Sequence, residues 1–245
     1  MPTKSSNVLK RTFFLGWVGD RLPRSTRWKY WRCCIEGRAL RDPFGDLRGA
    51  LPPIKQEHFA SIREPDEVDE LLRAIEGFRG IFVVQCALRL APPFFVRPGE
   101  LRKAEWAHFN LDKAEWRYIA SKTKSEHLVP LASQAVSILR ELHALTGHGR
   151  FVFFGRDGPR PPRPQRPMSD AAVNAALRRM GYDTKTEITG HGFRAMARTI
   201  LHQEIGIAPE SIEHQLAHRV PDALGAAYNR TKFIKERRVM MQQWA

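Results

Sequence analysis

Three residues towards the end of the chain have side chains that could act together on a phosphate group. His191 and Arg194 are three positions apart, so on a helix they share one face and can both donate hydrogen bonds to one anionic oxygen. Tyr228 offers a hydroxyl that could attack phosphorus. A phosphodiester under attack gains negative charge on its free oxygens, and positioned cationic donors stabilise that charge. The spacing therefore predicts a phosphoryl-transfer site.

The overall charge indicates the class of partner that such a site would meet. The chain has 245 residues, with 40 Lys and Arg against 26 Asp and Glu, and a net charge of +14. An excess of this size favours a polyanionic partner, and nucleic acid is a polyanion built from phosphodiesters. A generally basic protein without such a partner is the alternative that charge alone leaves open.

Composition argues against several other classes of protein. A hydrophobic fraction of 42% supports a packed core, so global disorder is not expected. Cys33, Cys34 and Cys86 form no CxxC pair, which predicts reduced thiols and no structural zinc. No apolar run reaches the roughly 18 residues that span a bilayer, and the first residues carry no signal-peptide pattern. We therefore expect a cytoplasmic protein with no membrane partner.

Most of the chain after residue 55 has the periodicity of helices. Pro65–Glu67 begins one, because proline suits the first turn and acids suit a helix N-terminus. The apolar run Ile81–Leu90 predicts a buried helix that ends at Pro92–Pro93. Val68, Leu71, Leu72 and Ile75 are the expected buried stripe of the first helix. Further helices are predicted to begin at Arg97, at Ser133 and Ser169 as caps, at His191, at Pro209 and at Lys232.

Two runs between these helices have the period of strands. Trp116–Ile119 indicates one strand and Leu128–Leu131 another, with Lys122–Ser125 as the turn. Residues 159–167 contain five prolines and three arginines and are expected to form an exposed basic loop. The pattern predicts a mainly α fold with a small antiparallel β-sheet, an α+β architecture.

Several motifs together resemble the tyrosine recombinases, the phage integrase family, and most closely the integrases of prophages and genomic islands. The resemblance covers about residues 40–245. Each motif alone is weak, but their order and separation resemble those of the family. The stretches that carry it are Leu47–Pro53, Val96–Leu101, Trp106–Asp112, Lys122–Leu131, His191–Arg194, Ile212–His218, Ala227–Arg230 and Glu236–Ala245.

The resemblance implies a catalytic set with one supporting acid. Lys122 is similar to the hairpin lysine that protonates the leaving 5′ oxygen, and Tyr228 to the nucleophile that forms a 3′-phosphotyrosyl link. Glu100 is similar to the acid that supports the helix of the first arginine. The link retains the bond energy, so the implied reaction needs neither ATP nor metal, and no cofactor is expected. The implied catalytic residues are Arg97, Lys122, His191, Arg194, His218 and Tyr228.

Each assignment has a structural alternative. His191 alone would be read as a core histidine, and His218 as a residue favoured at a helix C-terminus. Lys124 lies in the same turn as Lys122, but counting back from the strand at Leu128 favours Lys122. The remaining tyrosines, Tyr30, Tyr118 and Tyr182, are explained by packing.

The resemblance also implies a domain organisation. Relatives carry an arm-site-binding domain and a core-binding domain before the catalytic domain. We expect residues 1–55 to be a remnant of the core-binding domain with its linker, and residues 56–245 to be the catalytic domain. This predicts an N-terminally shortened or decayed integrase. The apolar residues of the last helix are expected to pack on the chain itself or on a neighbouring protomer.

The implied function is site-specific DNA recombination for integration or excision of a mobile element. The expected partner is double-stranded DNA carrying an attachment-site core, on which the chain assembles as a tetramer, with no small-molecule substrate and a place of action at the bacterial nucleoid. One alternative is a decayed remnant that binds DNA without catalysis. Another is a relaxing enzyme similar to type IB topoisomerases.

Overall fold

The structure is a computed structural model that describes residues 59–155, 163–218 and 233–245. In these ranges the helices are α1 (Pro65–Gly77), α2 (Phe82–Phe94), α3 (Pro98–Arg102), α4 (Ser133–Thr146), α5 (Ala172–Arg179), α6 (Gly192–Gln203), α7 (Pro209–Gln215) and α8 (Ile234–Trp244). The strands are β1 (Phe109–Asn110), β2 (Glu115–Ile119), β3 (Glu126–Pro130), β4 (Phe154–Gly155) and β5 (Arg163–Pro167). The mainly α fold with a small antiparallel sheet is confirmed. None of these helices is long and apolar enough to cross a lipid bilayer.

Two parts of the sequence-based interpretation lie outside the described residues. The proposed remnant at residues 1–55 is one of them, so the domain boundary stays a prediction. Tyr228 is the other, and its position relative to the rest of the site also stays a prediction.

Helix α1 forms as its sequence predicts, with one exception in its buried face. Pro65 occupies the first turn together with two acidic residues, which complement the positive end of the helix dipole. Val68, Leu71 and Ile75 are buried in the core. The prediction that Leu72 belongs to this stripe is wrong, because it lines an open groove beside Pro93 and is 39% exposed.

Helix α2 runs through the two prolines that were expected to end it. Pro92 and Pro93 lie in its last turn, and the helix ends only at Phe94. Proline lacks an N–H and disfavours this position, but Phe94 and Phe95 are fully buried, and burial of two aromatic rings outweighs the local preference. Phe95 then adopts a left-handed backbone with φ 33°, and its N–H donates to Ala91 O. This reversal directs the chain into the next helix.

The predicted hairpin is present and forms the main part of the three-stranded sheet. β1, β2 and β3 are neighbours in chain order, and Trp116 of β2 pairs with Phe109 on one side and Val129 on the other. The Trp116 ring is fully buried and stacks on Phe109 with ring centroids 5.0 Å apart. The turn between β2 and β3 falls at residues 121–124, which places Lys122 at the tip of the hairpin.

Three local predictions are corrected by the structure. Residues 163–167 of the expected basic loop form strand β5, whose backbone pairs antiparallel with β4; residues 159–162 lie outside the described residues. Proline carbonyls still accept hydrogen bonds, so a proline-rich segment can pair in a two-stranded sheet. Ser133 is the first residue of α4 and not its cap, which is Ala132; the Ser133 N–H donates to Gln242 Oε1. Ser169 is not the cap of α5 as predicted, since Ala171 occupies that position; Ser169 Oγ accepts from Ala171 N in the turn before the helix.

The last helix, α8, packs on the body of the described chain. Met240 and Met241 are buried in the core, whereas Val239 is exposed. Arg237 is also buried, and its guanidinium donates to Gln215 Oε1 and to Leu128 O. Helix α8 therefore joins the end of α7 to strand β3, as the expectation of packing in cis requires.

Burial of His127 on β3 predicts a pH-dependent stability. Burial and the nearby Arg237 lower the pKa of His127 to about 3, and its Nε2 is 3.1 Å from Gln215 O. The unfolded chain binds a proton at this histidine with a pKa near 6.5, so the unfolded state takes up more protons as the pH falls. We expect this residue alone to reduce the free energy of unfolding by about 2 kcal/mol between pH 7 and pH 5.

The measurement is urea unfolding of the wild type and His127→Gln at pH 8, 7, 6 and 5. The variant should lose this part of the pH dependence while any constant difference at pH 8 reports packing and hydrogen bonding. Parallel stability curves for the two proteins would contradict the prediction.

Candidate active site

Arg97 and Glu100 form a pair at the start of α3. Arg97 is the N-cap residue, and Glu100 returns to its backbone N–H at 3.3 Å in a capping box. The two side chains also form an ion pair, with Arg97 Nη1 3.2 Å from Glu100 Oε1. Arg97 Nη2 donates to Ala217 O at 3.3 Å, so the start of α3 is joined to the segment that follows α7.

Glu100 is the buried acceptor around which this part of the site is arranged. Its carboxylate receives hydrogen bonds from the Tyr118 hydroxyl at 3.0 Å and from Ser121 N and Oγ at 3.1 Å each. These donors lie on β2 and at the beginning of the hairpin turn. Burying a carboxylate is costly unless its oxygens accept hydrogen bonds of this kind. Glu100 therefore holds Arg97 and the hairpin that carries Lys122 in one arrangement.

Tyr118 is a site residue that the sequence interpretation missed. It was attributed to packing, which accounts for its ring but not for its hydroxyl. The alternation of β2 places Trp116 and Tyr118 on the inner face, and a buried tyrosine hydroxyl needs a hydrogen-bond partner. This requirement could have indicated, from the sequence, that the Tyr118 hydroxyl bonds to another polar residue. Burial and the neighbouring Glu100 carboxylate raise the pKa of Tyr118, so the hydroxyl keeps its proton and donates it.

Arg194, in the first turn of α6, is the most buried cation of the predicted set. Its guanidinium donates to Phe95 O at 3.1 Å, to Leu216 O at 2.8 Å and to His218 Nε2 at 3.1 Å. Burial and the nearby Arg97 lower the pKa of Arg194 to about 10, which leaves it charged at neutral pH. Both oxygen atoms that accept hydrogen bonds from Arg194 belong to main-chain carbonyls. Their dipoles orient the cation without cancelling its charge.

His191 precedes α6, and residues 59–62, which have no regular secondary structure, pack against this end of the helix. The Phe59 ring lies 4.3 Å from the His191 ring between centroids. Ser61 Oγ donates to Gly192 O at 2.9 Å, and Thr189 N donates to Ala60 O at 3.2 Å. A Cβ on Gly192 would lie 2.2 Å from Ala60 O. The absence of a side chain at Gly192 is therefore what allows residues 59–62 to approach the start of α6.

The electrostatics of His191 indicate which predicted residues lie together. Burial lowers its pKa, and so do the charges of Arg194, Arg97, Lys122 and His218 in that order. His191 is therefore neutral at pH 7 and can accept a hydrogen bond. All five predicted catalytic residues that the structure describes thus contribute to one cluster.

The hairpin distinguishes the two candidate lysines. Lys122 is exposed at the tip and acts on His191 electrostatically. Lys124 has a left-handed backbone with φ 56°, and its N–H closes the turn onto Ala120 O. Lys122 therefore lies near enough to His191 to lower its pKa, and its assignment as the site lysine stays a prediction.

His218 completes the cluster from the segment after α7. Ala217 adopts a left-handed backbone with φ 51°, which turns the chain so that His218 Nε2 faces Arg194. Its other ring nitrogen, Nδ1, lies 2.5 Å from Glu213 Oε2. Among the described residues, no group of three or more His, Cys, Asp and Glu side chains could hold a metal ion. The cluster is suited to binding an anion.

The comparison with known families identifies the chain. The profile described as the phage integrase family matches residues 63–234, which include every cluster residue named above. The chain belongs to the phage integrase family. Among its relatives, the integrase of Enterobacteria phage P4 is 37% identical over 219 residues, covering 83% of this chain and 48% of the relative. The prophage integrase IntZ of Escherichia coli strain K12 is 36% identical over 207 residues, covering 84% of this chain and 49% of the relative.

Solved structures of integrases share the fold. The integrase from mycobacterium phage Brujita matches with a TM-score of 0.56 at 15% identity, covering 93% of this chain and 75% of that one. A lambda integrase tetramer bound to a Holliday junction matches with a TM-score of 0.55 at 18% identity, covering 82% of this chain and 58% of that one. This phage integrase family chain spans about half the length of the sequence relatives described above.

The close approach at Gly192 generates a testable prediction. Gly192→Ala should lower the free energy of unfolding by about 1–3 kcal/mol, because the new methyl group would lie 2.2 Å from Ala60 O and 2.9 Å from Ile188 Cδ1. The measurement is urea unfolding. Gly77→Ala is the matched control, since a Cβ there meets nothing within 4 Å, and it should leave stability unchanged or slightly raised. Equal stability of the two variants would contradict the close approach.

The hydrogen bond from Tyr118 to Glu100 generates a second prediction. Tyr118→Phe removes one donor from a buried carboxylate, so the free energy of unfolding should fall by about 1–2 kcal/mol. Thermal and urea unfolding measure the change. Tyr182→Phe serves as control, because within the described residues no hydrogen bond involves its hydroxyl. An equal loss in both variants would show that the tyrosine ring, and not this bond, sets the effect.

Proposed function

We propose that this chain carries the catalytic domain of a site-specific DNA recombinase that cuts and rejoins DNA through a 3′-phosphotyrosyl intermediate. The observation that supports it most strongly is the bonding of Arg194. Its buried guanidinium is held by two main-chain carbonyls and His218, so its positive charge stays available to an incoming anion. A net charge of +14 fits a DNA partner.

The cluster suggests how the scissile phosphate would be bound. Arg97 and Arg194 would donate to its non-bridging oxygens, where negative charge grows as the phosphorus becomes pentacoordinate. Both cations are preorganised, since Glu100 and Ala217 O hold Arg97 and carbonyls hold Arg194. No reorganisation is then needed when the charge develops, which is the condition for effective electrostatic catalysis.

The proposed proton transfers follow from the charge states of the remaining groups. Tyr228 Oη would attack phosphorus, forming the phosphotyrosyl bond as the bond from phosphorus to the 5′ oxygen breaks. His191, neutral at pH 7, would accept the phenolic proton, and Lys122 at the exposed hairpin tip would give a proton to the 5′ oxygen. Attack by another strand's 5′ hydroxyl would reverse these steps and release Tyr228.

The proposal extends to assembly and to biological role. Lambda integrase has been solved as a dimer bound to a core site and as a tetramer bound to a Holliday junction, and this chain shares that fold. We infer that the chain acts as a tetramer on double-stranded DNA with an attachment-site core, at the bacterial nucleoid. The reaction would integrate or excise a mobile element.

The test is covalent trapping on nicked duplexes that cover the junctions between the mobile element and its chromosome. Cleavage beside a nick releases a short strand, so the phosphotyrosyl protein accumulates and is seen on a denaturing gel without metal. Wild type and Tyr182→Phe should form the adduct, Tyr228→Phe should form none, and Arg194→Ala should slow its formation by about a hundredfold or more.

Two outcomes would contradict the proposal. Salt-sensitive DNA binding without any adduct would favour the non-catalytic DNA-binding remnant. An adduct that persists in Tyr228→Phe would mean that another residue is the nucleophile.

A further inference from the structure

Two side chains of α6 contact Glu213 of α7 and His218, which follows that helix. Arg194 and Arg198 are four residues apart and lie on the same face of α6. Arg194 Nη2 is 3.1 Å from His218 Nε2, and Arg198 Nε donates to Glu213 Oε1 at 2.6 Å. Glu213 and His218 are themselves in contact, through Oε2 and Nδ1 at 2.5 Å. The four side chains form one hydrogen-bonded row.

Hydrogen-bond chemistry fixes the proton positions in this row. Arginine only donates, so His218 Nε2 accepts from Arg194 and carries no proton in this arrangement. Burial would raise the pKa of Glu213, but the hydrogen bonds from Arg198 and His218 hold it below its ordinary value. An ionised carboxylate only accepts, so His218 Nδ1 carries the proton. Nε2, which carries the lone pair, is therefore the ring nitrogen that faces Arg194 in the cluster.

We propose that Glu213 is a positioning residue that fixes the tautomer and orientation of His218, with Arg198 holding the carboxylate in place. The inference rests on the proposed function, since it assigns to Glu213 a part in holding the His218 ring that accepts from Arg194, the guanidinium proposed to bind the scissile phosphate. Glu213 does not touch the phosphate, and acts only through His218. The role is chemically the same as that of a carboxylate that orients a catalytic histidine in a hydrolase triad.

The row also predicts what a nearly isosteric change would do. In Glu213→Gln, the side-chain oxygen is held by Arg198, so the amide NH₂ is turned towards His218 Nδ1. Because an amide NH₂ only donates, Nδ1 must then lose its proton and Nε2 must gain it. The protonated Nε2 can no longer accept from Arg194. The substitution therefore reverses the tautomer of His218 with little change in volume.

The first experiment reads the tautomer directly, without depending on activity. The full chain is labelled with ¹⁵N-histidine, and two-dimensional ¹H–¹⁵N spectra recorded at pH 7.5 distinguish protonated from unprotonated ring nitrogens. The His218 signals are identified by their loss in His218→Gln. Wild type should show the proton on Nδ1, and Glu213→Gln should move it to Nε2. Glu210→Gln, which removes an exposed carboxylate from the same helix, should leave the spectrum of His218 unchanged.

The second experiment measures the rate of adduct formation in a double-mutant cycle. Glu213→Gln should slow the reaction roughly a hundredfold in the wild-type background. The same change should have no further effect when His218 is already alanine, because Glu213 acts only through that ring. Glu213→Ala, which removes the partner altogether, should show the same loss of effect in the His218→Ala background. Glu210→Gln should match the wild-type rate.

The outcomes separate this inference from the proposed function. A wild-type His218 protonated on Nε2, or full additivity of the two substitutions, would overturn the role of Glu213 while leaving recombinase chemistry intact. A chain that forms no Tyr228-dependent adduct would overturn the proposed function, and the spectra would still report the tautomer. A loss of folding in Glu213→Ala is resolved by Glu213→Gln, whose thermal unfolding should remain close to wild type.

Discussion

The buried guanidinium of Arg194 is the interaction on which the arrangement of the site depends. It joins α6 to the reversal at Phe95 and to Leu216 and His218 after α7, two parts of the chain that are distant from each other in sequence. A buried charge is costly unless its donors are satisfied. Here two main-chain carbonyls and the His218 ring accept three of its hydrogen bonds, so the cation is held in place without an acidic partner in direct contact.

Two acidic residues of the site each hold a predicted catalytic side chain in position. Glu100 holds Arg97 and the hairpin, and Glu213 holds His218. Glu100 binds the backbone N–H and the guanidinium of Arg97, and Glu213 binds Nδ1 of His218, whose Nε2 accepts from Arg194. Such an arrangement provides the rigidity that electrostatic catalysis requires while the cluster remains electropositive.

The last helix extends this support to the edge of the site. Arg237 joins α8 to Gln215 and to Leu128 O, and those residues lie next to the segments that carry His218 and the hairpin. Displacing α8 would leave the buried Gln215 side chain without its partner and would loosen both segments at once. The stability of the C-terminal helix and the geometry of the cluster are therefore coupled through one side chain.

The sequence by itself determined the local elements, the class of the fold and the residue types of the site. Periodicity located α1, the hairpin and α6, and motif order indicated the family that the matching profile then confirmed. The sequence-based prediction failed at Pro92–Pro93, where burial of Phe94 and Phe95 outweighed the tendency of proline to end a helix. It also failed at Tyr118, which was attributed to packing although its hydroxyl donates to Glu100. Only the tertiary structure decided which donor meets which acceptor. Glu100 and Tyr118, or Arg194 and Leu216, are separated by many residues, and such pairing depends on how whole elements pack, which local preferences do not encode.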